Sequence, residues 1–217
     1  MPQVDRPAPN LFVEEWVQGE SSNIDRERGN VILIEVFQVN CPGCFIHGLP
    51  ETIDVFNKFS GAPLKVWGLA TAFEDFDKNN LENLRKLAST GEVVGETLAL
   101  LANRGMLDGN RLEYRIPFPV AWDQVEDSGD DLEKSAQKII DRDFPGFDSL
   151  PEKKREFITG QVKAYVRQKP YDAKTFDTYG LMGTPSSILI DKKGLLRHKL
   201  FGAGQGLEGL VQSLLEE

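Results

Sequence analysis

Two cysteines in 217 residues, Cys41 and Cys44, stand together in Cys41-Pro42-Gly43-Cys44. A single pair cannot staple a fold in the way of small disulfide-rich domains, and its spacing points to redox chemistry instead. The motif follows an apolar run of strand length and precedes a stretch of helical period, so it opens a helix. There, unpaired backbone N–H groups and the helix dipole stabilise a thiolate. Cys41 is expected to ionise below the ordinary thiol value, in the range of about 3.5 to 7 that such motifs span. Cys44, one turn further in, is placed to attack a mixed disulfide formed on Cys41.

Glu35 interrupts the apolar run six residues before Cys41. Burial there would raise its pKa toward the range useful for proton transfer, which makes it the candidate general base for Cys44, acting through a water. The plainer alternative is a carboxylate at a solvated strand end. For the cysteines the competing reading is half of a zinc site, with His47 and His198 as the available further ligands. In that reading Cys41, Cys44 and His47 belong to a non-catalytic metal-binding or interaction protein. Gly202 to Gly206 is glycine-rich but lacks the lysine of a phosphate loop, so it reads as the turn before the last helix.

The elements that must hold these residues follow from hydrophobic period. Val31 to Val39 is nearly unbroken and β-branched, as a strand covered on both faces requires. Pro42 to about Ser60 turns helical, with Leu49, Ile53, Phe56 and Phe59 near one face, and Leu64 to Ala72 is a second apolar run. Strand, helix and strand in so short a space imply parallel strands with a right-handed crossover. Helices are expected around Asn80 to Ser89 and from Val94 to Leu101, and Ile116 to Trp122 as a short strand whose Pro117 and Pro119 confine it to an edge or a strand end. Gln124 to Lys174 reads as an insertion: an acidic loop, Glu126 to Asp131, then two helices, the second starting near Ser149 and Pro151. Ser186 to Asp191 and Leu195 to Phe201, joined by Lys192-Lys193-Gly194, form a hairpin, and Leu207 to Leu215 an amphipathic helix. Trp16, Trp67 and Trp122 are expected to be core or capping aromatics.

Strand, C-x-x-C, helix, strand, then Gly183-Thr184-Pro185 leading into a hairpin and a terminal helix resembles the thioredoxin superfamily, nearest its TlpA-like branch and related to the AhpC/TSA-type peroxiredoxins. The resemblance covers about residues 10–73 and 122–215. It implies an α/β thioredoxin-like fold, a central mixed sheet flanked by helices, in one domain over 1–217 with a helical insertion at about 124–174. It also implies redox cysteines at Cys41 and Cys44, a buried acid at Glu35, and a cis-proline at Pro185 preceded by Thr184, whose backbone would pair with substrate. The implied activity is thiol-disulfide exchange with protein thiols and disulfides, without an added cofactor. Three departures stand out: Asn40 replaces the usual aromatic before the first cysteine, the helix proline is Pro50, six residues past Cys44 rather than five, and the insertion is large. A thiol peroxidase of peroxiredoxin type is the other enzymatic reading, but the proline and threonine it uses would fall on Ile34 and Gln38.

The formal charge of −9 argues against nucleic acid or an anionic membrane as main partner. No apolar stretch approaches the ~18 residues of a membrane span, and Met1 to Asn10 has three prolines and no apolar signal core. The chain as it stands is therefore expected in the cytoplasm, and a leader removed beforehand would instead place it in the periplasm or outside the cell.

Overall fold

The structure is a computed structural model of residues 1–217, described here except for 129–131 and 169 and the side chains at 138, 142 and 168. The last three residues of the acidic loop expected at Glu126 to Asp131 lie outside the described residues.

Its centre is a six-stranded mixed sheet. β1 (Val13–Gln18), β2 (Val31–Phe37), β3 (Leu64–Ala70), a small ribbon of β4 (Leu107–Asp108) and β5 (Arg111–Leu112), and β6 (Val120–Asp123) come first in the chain. β7 (Val125–Asp127) and β8 (Tyr171–Ala173) pair with each other, and β9 (Ser186–Ile190) and β10 (Leu196–Phe201) complete the set. Strand order in the sheet is β1-β6-β3-β2-β9-β10. β2, β3 and β6 run parallel, while β1, β9 and β10 pair antiparallel with their neighbours.

The central strand β2 is buried along its whole length, which is why it reads as a continuous apolar run. Its residues alternate between two cores. Val31, Leu33 and Phe37 face a cluster that includes Cys44, Phe45 and Leu49, together with residues of α1 (Leu49–Lys58), α2 (Leu81–Thr90), α3 (Gly95–Asn103) and α7 (Leu207–Glu216). Ile32, Ile34 and Val36 face the other way, onto Trp67, Ile188, Ile190 and Phe176 and Tyr179 of the short α6 (Lys174–Tyr179). Trp67 and Trp122 are buried, and Trp16 sits edge-on to Trp67 at 5.8 Å between ring centroids.

Two local departures from the sequence reading have physical causes. The strand expected over Ile116 to Trp122 starts only at Val120 and is internal to the sheet, so of the two places open to Pro117 and Pro119, an edge or a strand end, they take the strand end; the Pro119 carbonyl still accepts from Gly68 N–H at 2.9 Å. The segment after Cys44 is not a uniform α-helix: Cys44–Gly48 forms a π-helical turn in which Leu49 N–H donates to the Cys44 carbonyl, five residues back. That turn absorbs the extra residue before Pro50. β1 and α6 were not visible as elements in the sequence pattern.

The insertion leaves the sheet through β7, continues as α4 (Leu132–Asp143) and α5 (Glu152–Gln168), and returns through β8. The two helices share a small core of their own, Ala136, Ile140 and Val162. No helix among the described residues is long and apolar enough to cross a membrane.

Candidate active site

β2 ends at Phe37, and the chain turns through Asn40 into the cysteine helix. Cys41 and Cys44 are joined by a disulfide with Cα atoms 5.4 Å apart. Cys41 takes the N-cap position, Pro42 the first helical position, where a missing N–H costs nothing, and Cys44 the third. The Cys44 N–H donates to Cys41 Sγ at 3.3 Å, the bond that a capping oxygen would otherwise accept. Cys41 is partly exposed, whereas Cys44 is fully buried. One sulfur can meet a partner and the other cannot.

The Thr184–Pro185 peptide bond is cis, and the Thr184 carbonyl oxygen lies 3.6 Å from Cys41 Sγ. The hairpin holds this loop in place: Gly202 N–H donates to the Pro185 carbonyl at 2.9 Å, and the Ser186 hydroxyl to the Gly183 carbonyl at 2.7 Å. Met182 is 80% and Phe201 50% exposed, so an apolar rim flanks the loop beside Cys41.

Glu35 is 1% exposed, which removes the solvated strand end as an account of it. It shares the sheet face of Leu33 and Phe37 and stands in register between Gly68 of β3 and Ser187 of β9. Oε2 accepts from the Ser187 hydroxyl at 2.7 Å and from Thr52 of α1 at 3.3 Å. Oε1 has no hydrogen-bond partner among the described residues. Gly48 lies over it: a Cβ on Gly48 would collide with Oε1 and come within 2.6 Å of Pro185 Cβ. Burial pushes the carboxyl up to about 8, opposed by the two hydroxyl donors, with the charge on Glu51 adding to the rise.

Asn40, in place of an aromatic residue, turns its side chain away from the cysteine face. Its Oδ1 accepts from Glu96 N–H at 2.7 Å at the start of α3, its Nδ2 donates to Asp75 at 2.9 Å, and its N–H donates to Asn79 Oδ1 at 2.8 Å. His47 is exposed, and no group of three or more His, Cys, Asp or Glu side chains among the described residues could hold a metal ion. The zinc reading thus lacks an assembled ligand set. A second buried carboxylate, Asp123, was not singled out by sequence; it accepts from Thr71 and from the N–H groups of Thr175 and Phe176, and burial raises it to about 6. It ties α6 to the sheet. Ser187, Thr52 and Gly48 were missed as well, although a serine in an apolar strand and a glycine inside a helix were signals available to find two of them.

No protein-family model and no curated protein matches the chain. Solved structures do. The thioredoxin-like superfamily protein SPOA0173 is 26% identical, with 98% of this chain and 97% of that one covered and a TM-score of 0.60. A thiol-disulfide isomerase from Corynebacterium glutamicum is 27% identical over 98% and 97% of the two chains, with a TM-score of 0.58. A thiol:disulfide interchange protein of the thioredoxin family from Chlorobium tepidum, 15% identical over 99% of both chains at a TM-score of 0.51, shares the fold.

Proposed function

We propose that this protein, a thiol-disulfide oxidoreductase of thioredoxin-like fold, exchanges disulfides with protein partners by a division of labour between Cys41 and Cys44. The observation that carries the reading is the pairing of a reachable sulfur with a sealed one on the face that holds a buried, pKa-raised carboxyl.

In the reducing direction the Cys41 thiolate attacks a substrate disulfide, forms a mixed disulfide and releases the first substrate thiolate. Cys44 then gives its proton to Glu35 through water and attacks Cys41 Sγ. The internal disulfide forms, the second substrate thiol leaves, and two electrons have passed to the substrate. From the oxidised form the steps run backward: a substrate thiolate attacks Cys41 Sγ, Cys44 departs, and protonated Glu35 supplies its proton. A carboxyl with a pKa of about 8 has both forms populated near neutral pH, as either direction needs.

The Thr184 backbone beside Cys41, with Met182 and Phe201 exposed at the rim, suits an extended polypeptide rather than a small thiol as substrate. Peroxidase chemistry has less support. Ile34 is buried on the sheet face opposite Glu35, and the Gln38 amide is engaged with Phe73 N–H at 3.1 Å and with Glu74.

Trapping tests the assignment. Cys44→Ser should stall the reaction as a mixed disulfide on Cys41 that mass spectrometry of thiol-quenched host extracts can identify, while Cys41→Ser should capture almost nothing. Equal capture by both variants would remove the assigned roles.

A further inference from the structure

Pro50 creates a deficit in the helix that carries the cysteines. In a regular α-helix the Phe45 carbonyl would accept from Leu49 N–H, but that N–H is bonded to the Cys44 carbonyl. With the five-residue step of the π turn the donor would be residue 50, and proline has no N–H. Phe45 is fully buried, so its carbonyl has no water to turn to. The donor comes from far along the chain: the Tyr114 hydroxyl, on the stretch between β5 and β6, donates to the Phe45 carbonyl at 2.9 Å. Burial holds the Tyr114 phenol above its ordinary value, so it stays a donor across the working pH range.

The π turn decides which residue meets Glu35. One residue more or less before Gly48 rotates the following helix by about 100°. In the present register Gly48, with no Cβ, fits against Glu35 Oε1 and Pro185. If Leu49 N–H returned to the Phe45 carbonyl, the bulge would be lost and a side chain would be driven toward that space.

We propose that Tyr114 is a positioning residue for disulfide exchange: its hydroxyl replaces the donor that Pro50 lacks, holds Cys44–Gly48 in the π register, and so sets the cysteine helix against Glu35 and Pro185. The inference rests on the dithiol reading above. Its test uses the reduced full chain and 5,5′-dithiobis(2-nitrobenzoate) in stopped flow. The Cys41 thiolate attacks the reagent and releases one thionitrobenzoate; Cys44 then attacks Cys41 Sγ, releases the second and closes the protein disulfide.

Tyr114→Phe should leave the first release nearly unchanged, slow the second about tenfold, and move the pH midpoint of the second alone. A purely structural role would lower thermal stability without moving that midpoint. Pro50→Ala returns a backbone N–H to the helix, so adding it to Tyr114→Phe should recover most of the second rate, or recover folding if the single variant does not fold. No recovery, or a second release unchanged in rate and pH dependence in Tyr114→Phe, would refute the inference alone. A wild type that releases only one thionitrobenzoate would refute the exchange reading and this inference with it.

Discussion

Replacing Glu35 by glutamine should make the protein more stable and less active, by an amount that grows with pH. The unfolded chain ionises this carboxyl near 4.5, whereas the folded one holds its proton until about 8. Between those values the folded state binds one more proton than the unfolded state, so wild-type stability falls as pH rises, by about 1.4 kcal/mol per unit. The contribution is intact below pH 4.5, costs roughly 3 kcal/mol by pH 7, and reaches roughly 5 kcal/mol above pH 8. Glu35→Gln is neutral throughout and escapes this cost. Its carbonyl can accept from Ser187 and Thr52, and its amide falls where Oε1 already lacks a partner, so the shape and the hydrogen bonds are kept. Asp123, also raised, titrates in both proteins and cancels from the difference. Urea unfolding of the oxidised wild type and variant at pH 5, 7 and 9 should give curves that nearly coincide at the lowest pH and diverge above it. At pH 7 the variant should melt about 10 °C higher, taking about 2–4 °C per kcal/mol for a chain of this length. Parallel stability curves from pH 4.5 to 8 would show that Glu35 is charged in the folded state and would end its role as proton carrier.

Two further substitutions probe the same site from its neighbours. Ser187→Ala removes the shorter hydroxyl bond to Oε2, which favours the ionised form, so the Glu35 midpoint should rise and the pH profile of the second thionitrobenzoate release should move upward; a profile that stays in place or moves down contradicts the account. Gly48→Ala pushes a methyl group into Glu35 Oε1 and Pro185, and overpacking of this kind should cost about 1–3 kcal/mol by urea unfolding and slow exchange; an unperturbed variant would mean the helix can shift freely.

The parts legible in the sequence were those governed by local pattern. β2 announced itself through a nearly unbroken apolar run, and the cysteine helix through its change of period. Glu35 stood out as the lone acid in that run. What stayed hidden depends on register between distant segments. Ser187 meets Glu35 only because β9 pairs antiparallel with β2 at that step, and Tyr114 meets Phe45 across 69 residues. Pro50 was noticed as displaced by one position, but the spacing alone did not say that a π turn would take up the difference. β1 was missed because an edge strand with mixed burial carries little periodic signal, and α6 because six residues are too few to show a period.

A chain of contacts links the base of the insertion to the residue before Cys41. Its base is closed by the β7–β8 pair, where Asp127 aligns with Tyr171. The Tyr171 ring packs on Phe76 at 4.9 Å between centroids, and the adjoining Asp75 accepts from Asn40, the residue directly before Cys41. A second contact runs in parallel, since Phe73 stacks on Phe176 of α6 at 4.5 Å, just past the point where the insertion returns. Both routes end on residues 73–79, and this loop is also held to Gln38 and to Asn40 N–H. An aromatic residue at position 40 could not make the two side-chain bonds of Asn40, to Glu96 N–H and to Asp75, the second of which ties this loop to the turn before Cys41. In the proposed exchange Cys41, Cys44 and Glu35 carry the chemistry, and the loop of residues 73–79 connects the base of the insertion to the residue before Cys41.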